Sequence, residues 1–194
     1  PRDMTEPTDW QLVAAARAGD LSAFERLVRR YQQPVIGFCY RIAGSYEDAQ
    51  DLAQETFVRL HRHLARLEPQ AKFSTVVFGI ARNLALNHLR DTGRRGRGKT
   101  ESLTGADDQQ RALPDSAPGP DGHARLSEIE RFIEAGMQEL SPEHREIFVL
   151  RDIRGLDYDS IAEILGCKKG TVKSRLARAR EQLRRHIQAL GGAL

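Results

Sequence analysis

Two cysteines in 194 residues, Cys39 and Cys167, far apart and in dissimilar surroundings, point to neither a disulfide framework nor a metal site. The opening residues, PRDMTEPTDW, carry no apolar core of a signal peptide, and no later apolar run is long enough to span a bilayer. No stretch of any length alternates apolar and polar residues as a half-buried strand would. These absences predict an all-α chain, without membrane insertion, in a reducing cytoplasmic location. What is present is ordinary for a folded protein: 40% hydrophobic and 29% charged residues, with a net charge of +3 that hides local runs far more basic.

From Trp10 to Leu89 nearly every stretch has helical spacing. Phe24, Leu27, Val28, Tyr31, Val35, Phe38 and Ile42 keep to one face, with a possible kink at Pro34, and Gly44 ends the pattern. Ser45 stands three residues before Asp48, the spacing of a capping box, and opens a helix expected to bury Ala49, Leu52, Ala53, Phe57, Leu60 and Leu64. A short irregular RLEPQAKFS precedes a third helical pattern, TVVFGIARNLALNHLRD.

Beyond Thr92 the composition turns to glycine, proline and small polar residues, which bury too little apolar surface to offset the entropy of ordering. The reading is therefore two small helical domains, residues 8–92 and 125–191, joined by a flexible linker over 93–124. The second domain has SPEHREIFVLRDIRG, which opens on a Ser141 cap with Pro142 at the first helical position.

Further on, DYDSIAEILGCKKGTVKSRLARAR reads as two helices joined by a tight turn. Ala162 is small where the helices approach, Gly166 suits the turn and Val172 packs into the angle. This is the pattern of a helix-turn-helix, whose second helix enters the DNA major groove by its N-terminal end. Val172, Leu176, Ala179, Leu183 and Ile187 make the expected buried stripe. From Cys167 to Ile187 there are eight Lys or Arg residues against one acid, a density that on a recognition helix favours phosphate attraction over a merely solvated face. Lys173, Ser174 and Arg178 are the candidates for base-edge or phosphate contacts, and Lys169 and Thr171 for positioning the helix on the backbone. Arg175 has a structural alternative, its head paired with an acid of the preceding helix.

In the first domain, YEDAQDLAQETFVRL presents Asp48, Asp51, Gln54, Glu55 and Arg59 away from the apolar stripe. Asp51 and Glu55 lie one turn apart, but nothing nearby supplies the partners of a helical di-metal site, and His61 and His63, two residues apart, face different ways. The expectation is a docking patch, with no metal and no cofactor. A second basic run follows, comprising Lys72, Arg82, Arg90, Arg94, Arg95, Arg97 and Lys99 against Asp91 alone, with Phe73 and Phe78 beside it. Cations beside aromatics suit unpaired bases, which stack while their phosphates are held by charge. The competing reading puts both phenylalanines in the core. Asn83, on the helix near the loop, could reach a base or make a surface hydrogen bond.

These segments together resemble the bacterial sigma-70 family. EDAQDLAQETFVRL looks like its region 2.2, KFSTVVFGIARNLALNHLRD like regions 2.3 and 2.4, and LSPEHREIFVLRDIRGLDYDSIAEILGCKKGTVKSRLARAREQLR like region 4. With only those two domains and a linker, the chain is similar to group IV, or extracytoplasmic function, sigma factors. The resemblance implies a non-enzymatic promoter-recognition subunit. Asp51, Leu52, Gln54 and Glu55 would dock on the β′ coiled coil of core RNA polymerase. Lys72, Phe73, Arg82 and Asn83 would capture an unpaired base of the minus 10 element. Lys173, Ser174 and Arg178 would read the minus 35 element of promoter DNA, with the body of that domain on the β flap. An anti-sigma factor covering both domains is a further expected partner. The chain departs from the family's usual pattern where Thr75, Val76 and Val77 replace a Thr-Trp-Leu and where Asn87 replaces a common aspartate. The alternatives are a helix-turn-helix regulator that is not a polymerase subunit and a metal-dependent helical hydrolase.

Overall fold

The computed structural model describes residues 6–96 and 132–189, and all of its regular secondary structure there is helical. The predicted linker from residue 97 onward, with Arg97 and Lys99, lies outside the described residues. The first unit comprises α1 (Asp9–Arg17), α2 (Leu21–Ala43), α3 (Tyr46–His63) and α4 (Phe73–Gly96), with a 3-10 turn at Leu64–Arg66 after α3. In the second, α5 (132–138) leads to α6 (Pro142–Phe148), a π-helical turn (Val149–Ile153), α7 (Tyr158–Leu165) and α8 (Lys169–Ala189).

Local chemistry sets most of the boundaries. Thr8 and Gln11 form a reciprocal capping box at α1, satisfying two of the backbone donors that a helix start leaves free. Asp20 caps α2, which runs uninterrupted through Pro34 to stop at Gly44, in the left-handed conformation at φ 82°. Ser45 accepts from the Asp48 amide at 3.3 Å, but the return bond of a capping box is not made there. The Asp48 carboxylate, a methylene shorter than the glutamate such a box uses, lies instead 3.4 Å from Nε2 of His88 on α4. Ser141 caps α6 with Pro142 at its first turn, as the sequence predicts. The helix α4 continues past Thr92 to Gly96, four residues into the segment read as linker.

The buried face of α2 (Leu27, Val35, Phe38 and Ile42) packs against α3 (Ala49, Ala53 and Leu60) and α4 (Val77, Phe78 and Ala81). In the second unit α8 supplies the stripe Val172, Leu176, Ala179, Leu183 and Ile187, which closes over α6 and α7. Gly136 is fitted to this closure, because a β-carbon there would collide with the Leu183 side chain. The two units also pack on each other: α4 lies against α7, and α2 against α6 and the π-helical turn.

Candidate nucleic-acid and polymerase-docking surfaces

The α7–α8 pair forms the predicted helix-turn-helix. Gly166 turns the chain at φ 62°, which a side chain resists, and Val172 is fully buried in the angle. The N-terminal half of α8 therefore faces outward with Lys169, Lys173, Ser174 and Arg178 all exposed. Lys169 pairs with Asp159 at 2.8 Å, and Lys173 Nζ lies 5.8 Å from the centre of the Tyr158 ring, which also carries the Arg151 guanidinium at 4.7 Å. Ser174 donates to the Thr171 carbonyl at 3.1 Å. Arg178 makes no ion pair among the described residues. Arg175 does find an acid, Glu143 at 3.4 Å, but on α6 rather than on the helix just before it. Arg180 is held by both oxygens of Asp152.

On α3 the exposed Asp51 and Gln54 and the half-buried Glu55 share a face, and Glu55 accepts from Arg59 at 2.7 Å. Leu52 is buried and belongs to the core beneath that face. Beside Gln54 runs a groove of about 590 Å³ between α2 and α3, lined by Phe24, Val28, Ile36, Phe57, Val58 and His61. An acidic edge beside an apolar trough is suited to a basic, partly apolar partner helix.

The loop before α4 is held from three sides. Asp9 accepts from Arg30 and from the Tyr31 hydroxyl (2.6 Å), while Trp10 Nε1 donates to the Ala71 carbonyl at 3.2 Å. Burial and the Asp9 carboxylate push the Tyr31 phenol upward, so it remains a donor. The Phe73 ring meets Trp10 and Tyr31 edge-on, at 5.9 and 5.4 Å, and is only 2% exposed. Both phenylalanines of the basic run, Phe73 and Phe78, are thus core residues, and neither offers a free face for a base. Thr75 and Val77 are buried as well, leaving Val76 half-buried at the site of the missing tryptophan. Lys72, Asn83 and Arg90 are exposed, and Asn87 accepts from Arg90 at 3.3 Å. The side chains of Arg94 and Arg95 lie outside the described part of α4.

Sequence reasoning missed what two of these cations do. Arg82 Nε and Nη2 donate to both carboxylate oxygens of Glu146, at 2.7 and 3.1 Å, and Lys72 Nζ lies 2.6 Å from Asp157. Both acids belong to the second unit. Burial pushes the Glu146 carboxyl up against the opposing pull of Arg82, whereas the Lys72 ammonium and the Ser160 amide hold Asp157 well below the usual carboxylate range. Nothing in local sequence flags Glu146 except its place on the apolar face of α6, between neighbours that bury.

Comparison with known proteins gives the arrangement its family. The models of sigma-70 region 2 and sigma-70 region 4 match residues 27–95 and 133–183. The chain is 35% identical over 191 residues to the RNA polymerase sigma-H factor of Pseudomonas aeruginosa, covering 96% of this chain and 97% of that one. It is 36% identical to the ECF RNA polymerase sigma-E factor of Haemophilus influenzae, over 94% and 97% of the two chains. Among solved structures, CnrH in complex with the cytosolic domain of CnrY shares the fold with a TM-score of 0.67 at 23% identity, over 94% of this chain and 99% of that one. The sigma factor RpoE of Bartonella quintana, solved with the anti-sigma factor NepR, does so with 0.68 at 22%, over 87% and 98%. No helix among the described residues is long and apolar enough to cross a membrane. The chain belongs to the sigma-70 family, in its extracytoplasmic function branch, and is a sigma factor that directs RNA polymerase to promoters rather than an enzyme.

Proposed function

We propose that promoter recognition is divided between the two units, with polymerase setting their spacing. The α3 face of Asp48, Asp51, Gln54, Glu55 and Arg59, together with the adjoining α2–α3 groove, docks on the β′ coiled coil of core polymerase. Leu52 acts from beneath, by holding that face in place. Lys72, Arg82, Asn83 and Arg90 take the unpaired minus 10 strand, and Phe73 anchors the loop that carries them. Lys173, Ser174 and Arg178 read the minus 35 duplex, with Lys169 and Thr171 on its backbone, while the body of the second unit rests on the β flap. Each DNA surface binds weakly by itself, and joining both through one polymerase raises their effective concentration. The observation that carries this reading is the exposed N-terminal end of α8, cationic and projecting from a helix-turn-helix.

An anti-sigma factor completes the partners, since RpoE, which shares the fold, was solved with one. The test is run-off transcription with purified core polymerase on a library of genomic promoters. Initiation that depends on this protein, and is lost on changing Lys173 and Arg178 to alanine, supports the reading. Tight duplex binding by the protein alone, with no new start sites, overturns it.

A further inference from the structure

The chain's one tryptophan, Trp10, stands on the first turn of α1, 61 residues before the backbone group it bonds. Its indole N–H donates at 3.2 Å to the Ala71 carbonyl, within the loop that the minus 10 reading sets against unpaired DNA. The next carbonyl, that of Lys72, is held too, accepting from the Thr75 and Val76 amides of α4 at 2.9 and 3.4 Å. Successive peptide units of the loop are thus tied to different helices, and the Lys72 side chain leaves the backbone between the two ties.

The indole is a fixed post. Thr8 and Gln11 cap the start of α1 reciprocally. Arg30 of α2 donates to the Asp9 and Glu6 carboxylates and to the Pro7 carbonyl, and the Tyr31 hydroxyl donates to the second oxygen of Asp9 at 2.6 Å. The first turn of α1 therefore cannot tilt without breaking charge-assisted bonds to α2. On its other side the loop is loosely packed: a cleft of about 440 Å³ separates it from that turn, lined by Thr8, Asp9, Trp10, Pro69, Gln70 and Ser74. Pro69, Gln70 and Lys72 are exposed. With room beside it, the loop takes its path from hydrogen bonds more than from packing.

We propose that Trp10 is a positioning residue for promoter opening: its indole N–H, through the Ala71 carbonyl, fixes the path of residues 69–72 so that the loop meets the unpaired minus 10 strand already ordered. This rests on the reading of that loop as a minus 10 contact. An ordered loop spares the entropy of arranging its side chains as the strand arrives. Trp10 acts through the backbone it holds and needs no contact with DNA.

The experiment uses holoenzyme assembled from core polymerase and the full chain, with tryptophan replaced by 3-benzothienylalanine during expression. Because Trp10 is the chain's one tryptophan, the exchange alters a single site, and sulfur in place of the N–H removes the donor while keeping the bicyclic shape. On promoters from the run-off screen carrying all bases across the minus 10 element, permanganate reads opening. A gel shift on duplex ending upstream of that element reads minus 35 binding. Opening is expected to fall about fivefold, within what one hydrogen bond supplies, with a flattened base preference at minus 10 and unchanged minus 35 binding. Unchanged opening and preference overturn the proposal, and so does an equal fall in opening and minus 35 binding. Should the substituted chain fold poorly by circular dichroism, Tyr31→Phe decides, since it keeps the ring packing and removes one anchor of Asp9. A fall of about twofold confined to opening supports the proposal, and no fall overturns it. Gln70→Ala with Lys72→Ala tests the underlying reading: unchanged opening overturns the loop as a minus 10 contact and the proposal with it. If that pair impairs opening while the loss of the indole N–H does not, the positioning role alone is overturned.

Discussion

Arg82 on α4 and Glu146 on α6, 64 residues apart in the chain, form a two-pronged ion pair at 2.7 and 3.1 Å that joins the two units of this sigma factor. Breaking a buried pair from one side strands the remaining charge, at a cost of about 3–5 kcal/mol where it cannot escape to water. Here escape is open, since moving the units apart exposes Arg82. Glu146→Gln is therefore expected to uncouple the units rather than unfold them. Calorimetry should show one cooperative transition in the parent protein and two separated transitions in the variant. A single transition displaced to lower temperature would place the whole effect inside the second unit.

Phe73 and Asn83 divide support from contact. The Phe73 ring is wedged between Trp10 and Tyr31, so Phe73→Ala is expected to destabilise the first unit by about 3–5 kcal/mol, measured by denaturant unfolding. Asn83 is exposed, and Asn83→Ala should leave stability within about 0.5 kcal/mol while weakening promoter opening, read with permanganate on unpaired thymines.

The α3 face is expected to behave as a docking surface. Asp51 is exposed, and among the described residues Glu55 pairs with its neighbour Arg59 alone, a one-turn pair worth about 0.3–0.5 kcal/mol. Replacing both acids with alanine should weaken core polymerase binding about tenfold, a loss typical of interface residues, without shifting thermal stability appreciably. Native gel titration against core enzyme checks the first, and circular dichroism the second.

Lys173 and Arg178 should differ in what they read. Lys173 is steadied over the Tyr158 ring, whereas Arg178 stands free of ion pairs among the described residues. If Arg178 reaches a base edge, Arg178→Ala costs about 1–3 kcal/mol and relaxes preference at one minus 35 position. A phosphate contact by Lys173 would weaken all sequences alike and lower the salt slope by about one. Binding of holoenzyme to a minus 35 mutant library at two salt concentrations separates the two.

The thiols report on packing. Cys39 is fully buried and burial pushes its thiol up to about 12, while Cys167 is half-buried beside the turn of the helix-turn-helix. In Ellman's assay at pH 8 one equivalent should react in the native protein, and the second only on unfolding. Two rapid equivalents would mean that the α2 core opens readily.

Much of this molecule was legible in its sequence because helices announce themselves locally. The stripe from Val172 to Ile187, the stop at Gly44, the Ser141 cap with Pro142 and the turn at Gly166 all depend on residues within a few positions of one another, and each stands where periodicity and capping rules place it. The helix-turn-helix and its exposed cations follow from the same local rules. Where the local reading went astray, a distant group had intervened: the Asp48 carboxylate turns to His88 on α4, and Phe73 is claimed by rings from α1 and α2.

What the tertiary structure alone decided is which charges are free. A lysine or arginine on a helix surface looks the same in sequence whether it faces water, DNA or a carboxylate 85 residues further on, as Lys72 faces Asp157. Ion pairing depends on distances that the chain path sets, and the units are joined through residues outside the described structure, so no spacing rule could bring Arg82 to Glu146. Sequence determined the helices and the family. The packing of α4 on α7 and of α2 on α6 determined that Lys72 and Arg82 are paired with acids of the second unit.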